Sequence, residues 1–219
     1  ILACPFILMA MHTLFLIYQT ENPENYMMNI GYFVAIASLF YYPSVFLMLW
    51  VLLSFVILGF KGLRQLLIPV VAFMIVNAMV IGIAFLVGKY NNLIEAYSTF
   101  FDNISFSFNL TSGNRIFLLT TTILFLISLV KVIGNRSSDY GSNYRKRVGV
   151  GFVLMILSVL IFFIYQPLMG NALVFMMFAF FYAIALSDIK KITIANVITI
   201  LMFILVLVNQ YLPLFGITI

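Results

Sequence analysis

Side chains that could support acid–base or metal chemistry are few in this sequence. Its 219 residues include six acids, one histidine and one cysteine. The acids all fall in predicted loops or at helix ends: Glu21, Glu24, Glu95, Asp102, Asp139 and Asp188. Cys4 and His12 alone do not make a metal-ligand set. We therefore predict no catalytic residues, no cofactor and no metal site, and we expect no proton pathway built on carboxylates.

A second group of polar side chains lies inside long apolar runs, where such groups are costly unless they are hydrogen-bonded. These candidates for helix packing or for lining a cavity are His12, Asn77, Asn171 and Asn196. We expect their side chains to form hydrogen bonds to neighbouring helices. Two small-residue pairs, Gly31 with Ala35 and Ala78 with Gly82, predict close contacts between helices.

The composition of the chain indicates the class of protein in which these residues lie. Hydrophobic residues make up 65% of the chain, charged residues 8%, and the mean hydropathy is +1.20. A soluble domain has about a quarter charged residues and about half apolar ones. The composition therefore excludes a water-soluble globule, a nucleic-acid-binding domain and a disordered chain.

The apolar runs are continuous rather than alternating, which favours membrane-spanning helices over a barrel. We predict an all-α polytopic transmembrane bundle of about eight helices, forming one unit over 1–219. The predicted spans are 1–19, 27–41, 44–60, 65–87, 116–133, 148–165, 168–186 and 194–211. The chain starts at Ile1 inside an apolar run, so we expect further residues before it.

The run 27–60 is too long for one straight span. At 1.5 Å per residue its 34 residues would extend about 51 Å, against a bilayer core of about 30 Å. It contains Tyr41-Tyr42-Pro43-Ser44, and proline disfavours helix at the preceding residue. We predict two short spans joined by a tight turn; one kinked helix, which gives seven helices in all, is the alternative.

Residues 88–115 form the longest predicted loop, and it contains an amphipathic segment. Its apolar side chains share one helical face: Leu93, Ile94, Tyr97, Phe100, Phe101 and Ile104. This spacing predicts a helix lying flat at the membrane interface. A loop helix packed on the bundle is the alternative.

The basic residues predict the orientation. Nine of them fall in alternate loops: Lys61, Arg64, Lys131, Arg136, Arg145, Lys146, Arg147, Lys190 and Lys191. Only Lys89 and Arg115 fall in the others. The positive-inside rule therefore places the basic loops, including 134–147, in the cytoplasm and the 88–115 loop outside. The run Arg145-Lys146-Arg147 is also expected to contact anionic lipid headgroups.

Several stretches resemble a family of multi-pass inner-membrane proteins of Bacteroidota with no assigned activity. They are Ala37-Ser38-Leu39-Phe40-Tyr41-Tyr42-Pro43-Ser44, Leu66-Leu67-Ile68-Pro69, Ala183-Ile184-Ala185 and Leu207-Val208-Asn209-Gln210. The resemblance covers most of 29–211. It implies a bacterial inner (cytoplasmic) membrane location and further spans before Ile1, and it implies no catalytic residue.

Residues 29–87 also resemble a helix-hairpin stretch of polytopic glycosyltransferases that use polyprenyl-phosphate sugars. The matching features are Gly31, Ala35, Ala37 and Pro43-Ser44, followed by a basic turn between two apolar runs. In that family a Lys or Arg often precedes the proline, whereas this chain has Phe40, Tyr41 and Tyr42 there. The resemblance implies an external cavity near Tyr41, Tyr42 and Lys89.

Our leading hypothesis is a non-catalytic scaffold or accessory subunit of a cell-envelope complex. Its expected partners are membrane lipids and other membrane protein subunits, with no nucleic acid and no metal. One alternative is a membrane enzyme handling polyprenyl-phosphate-linked sugar. The other is a transporter of a neutral or lipid solute, which predicts a polar cavity near Asn77 and Asn171.

Overall fold

The computed structural model describes residues 2–17, 20, 23–60, 62–102, 122–123, 125–130, 132, 134, 142–164, 168–187, 189 and 192–211. Every regular element within these ranges is helical, which confirms the all-α class. The elements are α1 (Ala3–Ile17), α2 (Glu24–Phe40), a 3₁₀ helix η1 (Tyr42–Phe46), α3 (Leu47–Leu58), α4 (Leu63–Leu86), α5 (Tyr90–Asp102), α6 (Ser142–Ile164), α7 (Leu168–Ser187) and α8 (Ile192–Tyr211). Helical residues also lie within 122–134.

The chain forms two compact units. The first contains Ile1–Ser107 and Ser142–Val174, and the second contains Phe108–Gly141 and Phe175–Ile219. In the second unit, Phe125 stacks on Phe178 with ring centroids 4.3 Å apart and meets Phe181 edge-on at 5.8 Å. These ring pairs hold the described part of 122–134 against α7. The single bundle over 1–219 stays a prediction.

The long run 27–60 is broken where the sequence predicts a break. The amide of Tyr41 closes the last turn of α2 on the carbonyl of Ala37 at 2.9 Å, and Tyr41 itself is extended (φ −146°, ψ 98°). Pro43 then lies in the first turn of η1, a position where its missing N–H costs little. The alternative of one kinked helix over 27–60 is therefore wrong.

In the first unit, α1 and α2 form an antiparallel pair. Phe6, near the start of α1, stacks on Phe40, at the end of α2, with ring centroids 5.8 Å apart. The pair buries aliphatic side chains of both helices, including Ile7, Leu14 and Ile30. The second helix of the pair, α2, therefore returns the chain to the end at which α1 begins.

By contrast, α2 and α4 lie side by side and run parallel. Arg64 in the first turn of α4 pairs with Glu24 in the first turn of α2 at 3.1 Å. Further along both helices, a Cβ added at Gly31 would overlap the backbone of Pro69 and approach Cβ of Ala72 at 2.8 Å. The first turn of α4 lies beside the first turn of α2. The segments η1 and α3 must therefore carry the chain back from the end of α2 to that point. This return confirms the predicted two-segment arrangement of 27–60.

Two glycines in the left-handed region end helices of the first unit. Gly59 (φ 102°) follows α3 and precedes α4, and Gly88 (φ 72°) separates α4 from α5. Non-glycine residues rarely adopt such φ values, so these positions set sharp helix ends. The 24 residues of α4 extend about 36 Å, so Arg64 and Lys89 lie at opposite ends of it.

Among the described residues, α4 is the one helix of at least 18 residues that is apolar enough to cross a membrane. Ala3–Ile17, Tyr42–Leu58 and Leu173–Ser187 are apolar but shorter. The structure therefore shows a helical chain with a candidate membrane span, a coarser result than the eight spans expected from hydropathy.

Candidate functional site

The main candidate surface is the apolar exterior of α4. Only 11% of its most apolar stretch is buried within the chain, and Pro69 and Ala72 are its buried residues. The exposed large side chains are Leu63, Leu67, Val71, Met74, Ile75, Met79, Ile81, Ile83, Phe85 and Leu86. A soluble monomer rarely exposes so large a continuous apolar surface. This face therefore needs a cover of lipid or protein.

A groove lies between α2 and α4, with a volume of about 510 Å³. Its lining is apolar apart from Tyr32 and one cation: Met28, Tyr32, Arg64, Leu67, Ile68, Val71, Ala72 and Ile75. Arg64 lies at the end where both helices begin. The close approach at Gly31 brings the backbones of the two helices together beside Ala72, which lines the groove.

The predicted basic residues of the first unit gather at one end, which we call the basic end: Arg64, Arg145, Lys146 and Arg147. Arg147 lies over the ring of Phe15, in the last turn of α1, with its guanidinium carbon 5.8 Å from the centroid. Lys146 Nζ donates to the carbonyl of Leu58, the last residue of α3, at 3.2 Å. The start of α6 therefore lies beside the ends of α1 and α3. Lys61, Lys190 and Lys191 lie outside the described residues.

Two of these basic residues, Lys146 and Arg147, also contact neighbouring helices. The count of basic residues in the loops did not predict these contacts. The last carbonyls of a helix lack partners within the helix and carry partial negative charge. Lys146 supplies a charged donor to one such carbonyl, and Gly59 beside it turns the chain away from α3. Arg145 is exposed.

One link between α3 and α6 was not predicted from the sequence. Trp50, the single tryptophan, is fully buried, and its Nε1 donates to the carbonyl of Val150 at 3.1 Å. A Cβ added at Gly149 would lie 3.3 Å from Ile57, so this glycine lets the helices approach. The signals in the sequence were a lone Trp in an apolar run and the pattern Val148-Gly149-Val150-Gly151.

The polar residues predicted to join helices behave differently. Asn77 Nδ2 donates to the carbonyl of Phe73 in its own helix at 2.9 Å, so the predicted bond to a neighbouring helix is absent among the described residues. His12 is exposed and borders a second groove, of about 500 Å³, between α1 and Phe33. Asn196 is exposed on α8. The side chain of Asn171 lies outside the described part.

The two small-residue pairs also differ. Gly31 and Ala35 are buried, which confirms their predicted part in helix contact. No described atom lies within 4 Å of a Cβ added at Gly82, and Ala78 is exposed. The close contact predicted at the second pair therefore stays a prediction.

The predicted interfacial helix exists as α5, which starts just after Gly88 at the end of α4 far from the basic end. Leu93 is half-buried, whereas Ile94 and Glu95 are exposed. The side chains of Tyr97, Phe100 and Phe101 lie outside the described part, as does all of Ile104. The helix is thus established, and its position flat on a membrane stays a prediction.

The described residues can be compared with two features of a catalytic site, a metal-ligand cluster and a cavity. No cluster of three or more His, Cys, Asp or Glu side chains that could hold a metal occurs among the described residues. The two grooves given above do not include Tyr41, Tyr42 or Lys89, and Tyr41 is only 8% exposed. The largest feature that the described residues present is the exposed apolar face of α4.

No family model, curated protein or solved structure matches this chain. Function must therefore be inferred from three described features of the first unit. These are the exposed apolar face of α4, the groove between α2 and α4, and the basic end. The first two are largely apolar, and the third carries positive charge.

Proposed function

We propose that this chain is a multi-pass protein of the bacterial inner (cytoplasmic) membrane that serves as a scaffold or accessory subunit of a cell-envelope complex. The observation that carries this proposal is the 24-residue apolar helix α4, whose most apolar stretch is 89% unburied (100% minus the 11% that is buried). A helix of this length spans the hydrocarbon core. The resemblance to multi-pass proteins of Bacteroidota agrees with this location.

The direction of threading follows from the basic end. Moving several Lys and Arg side chains across the bilayer is unfavourable, so loops that carry them stay in the cytoplasm. Arg64, Lys146 and Arg147 share one end of the first unit. That end is cytoplasmic in our proposal, and Lys89 with the start of α5 is external.

The scaffold part of the proposal depends on what covers α4. Lipid chains are as apolar as leucine, so membrane helices associate through close packing rather than through the hydrophobic effect. Ala78 and Gly82 are small and exposed residues of α4, and no described atom lies within 4 Å of a Cβ added at Gly82. A partner helix can approach closely there, with Met79 and Ile83 beside it.

Site-specific photocrosslinking at native expression tests this function. A benzophenone side chain at Met79 or Ile83, both exposed, is expected to capture one defined membrane protein, which also co-purifies at fixed stoichiometry. The matched control is the same probe at Phe55, which is fully buried. Capture of lipid alone from both exposed positions, with isolation of the chain as a lone monomer, would contradict the scaffold function.

A further inference from the structure

The length of the groove between α2 and α4 matches the hydrocarbon thickness of one membrane leaflet. From Arg64 to Ile75 it covers eleven helical steps, or about 16 Å at 1.5 Å per residue. Half of a hydrocarbon core about 30 Å thick is about 15 Å. Its volume of about 510 Å³ suits a small-molecule occupant, since such sites measure roughly 300–1,000 Å³. A helix, at roughly 10–12 Å across, would fill more than this volume over the same length.

The end of this groove is suited to an anion. The side chain of Arg64 is 81% exposed, and its guanidinium contacts Glu24 through Nη2, which leaves its other donors available. The first turns of α2 and α4 lie side by side, and neither has a side-chain cap. Their uncapped N–H groups add positive potential beside Arg64.

We infer that the groove binds one anionic phospholipid of the leaflet at the basic end. The phosphate contacts Arg64, and one acyl chain lies along Ile68, Val71 and Ile75 towards Tyr32. Glu24 competes with the phosphate for Arg64, so the ion pair lowers the affinity of the groove for the phospholipid. This inference rests on the membrane location proposed above, but it does not depend on a partner subunit.

Native mass spectrometry of the purified full chain in detergent tests the inference. The probes are phosphatidylglycerol and phosphatidylcholine with identical acyl chains, supplied in equal amounts. The wild-type chain is expected to retain phosphatidylglycerol preferentially. Arg64→Gln should reduce that preference about fivefold, the effect of losing one cation near anionic lipid.

The variant Glu24→Gln distinguishes a lipid site from a simple structural ion pair. Removing the carboxylate frees Arg64, so retention of phosphatidylglycerol should rise while Arg64→Gln makes it fall. If the pair served only to hold α2 and α4 together, both variants would change lipid retention in the same direction. That result would overturn the inference.

Filling the groove tests the acyl-chain position. Val71→Trp places a bulky ring in the groove and should abolish preferential retention. Met74→Trp, on an exposed part of α4 outside the groove lining, should leave it unchanged. Equal retention by both variants would overturn the inference, as would displacement of the lipid by inorganic phosphate alone. Because the chain is purified, failure of the scaffold proposal would leave these outcomes unaffected.

Discussion

Gly31→Leu should separate α2 from α4 and strongly destabilise the first unit. A Cβ at this position already overlaps backbone atoms of Pro69, and backbone cannot yield as a flexible side chain can. Overpacking a close contact costs about 1–3 kcal/mol, and we expect the upper end of that range or more. Thermal unfolding of the detergent-solubilised protein, followed by circular dichroism, measures the loss.

Gly82→Leu provides the matched control for this prediction. Gly82 lies in α4 with no described atom within 4 Å of an added Cβ. Replacing it should change the free energy of unfolding by no more than about 0.5 kcal/mol, as for other open positions. Equal destabilisation by the two leucines would show that the α2–α4 contact does not exist as described.

The second large effect is expected at Trp50. Trp50→Ala removes a fully buried ring between α3 and α6 together with its hydrogen bond to the carbonyl of Val150. Truncation of a buried aromatic side chain to alanine costs about 3–5 kcal/mol, mostly through the cavity that remains. Circular dichroism is again the suitable measurement, because the variant has no tryptophan left to fluoresce.

Two further variants separate the contributions at this site. Trp50→Phe keeps most of the apolar ring but loses the hydrogen bond, so it should cost clearly less than Trp50→Ala; the bond itself contributes about 0.5–1.5 kcal/mol. Leu49→Ala changes the neighbouring side chain, which is 51% exposed, and should have little effect. A Trp50→Ala protein as stable as the Leu49→Ala protein would refute the described packing of α3 on α6.

The sequence was sufficient to predict the class and several element boundaries. The apolar runs predicted helices, and Tyr41-Tyr42-Pro43 marked the break between α2 and α3, because proline and the residue before it resist continuing a helix. The concentration of Lys and Arg predicted a common basic end, and Arg64, Lys146 and Arg147 do share one. These features depend on local chemistry, which a sequence displays directly.

The pairing of helices could not be predicted in the same way. These helices are apolar on nearly all sides, so no amphipathic pattern indicates which face meets a neighbour. The parallel contact of α2 with α4 depends on how η1 and α3 return the chain, and Trp50 meets α6 across 100 positions of sequence. Such long-range contacts are set by packing, which periodicity does not reveal.

The polar residues show a related limit. Asn77 was expected to bond across helices, but a carbonyl four residues earlier in its own helix is always within reach. Gly82 has the same spacing signal as Gly31, yet only Gly31 has a described neighbour. A small-residue pair indicates that close packing is allowed, and the tertiary fold decides where it occurs.

Cysteine labelling along α4 tests most directly whether the bilayer surrounds this helix. Cys4 is the single cysteine, so Cys4→Ser provides the background for Arg64→Cys, Met74→Cys and Lys89→Cys. With a membrane-impermeant maleimide, Lys89→Cys should label in intact cells, Arg64→Cys only after permeabilisation, and Met74→Cys in neither case. Labelling of Met74→Cys as readily as Lys89→Cys would contradict a membrane-spanning α4, and labelling of Arg64→Cys in intact cells would contradict its orientation.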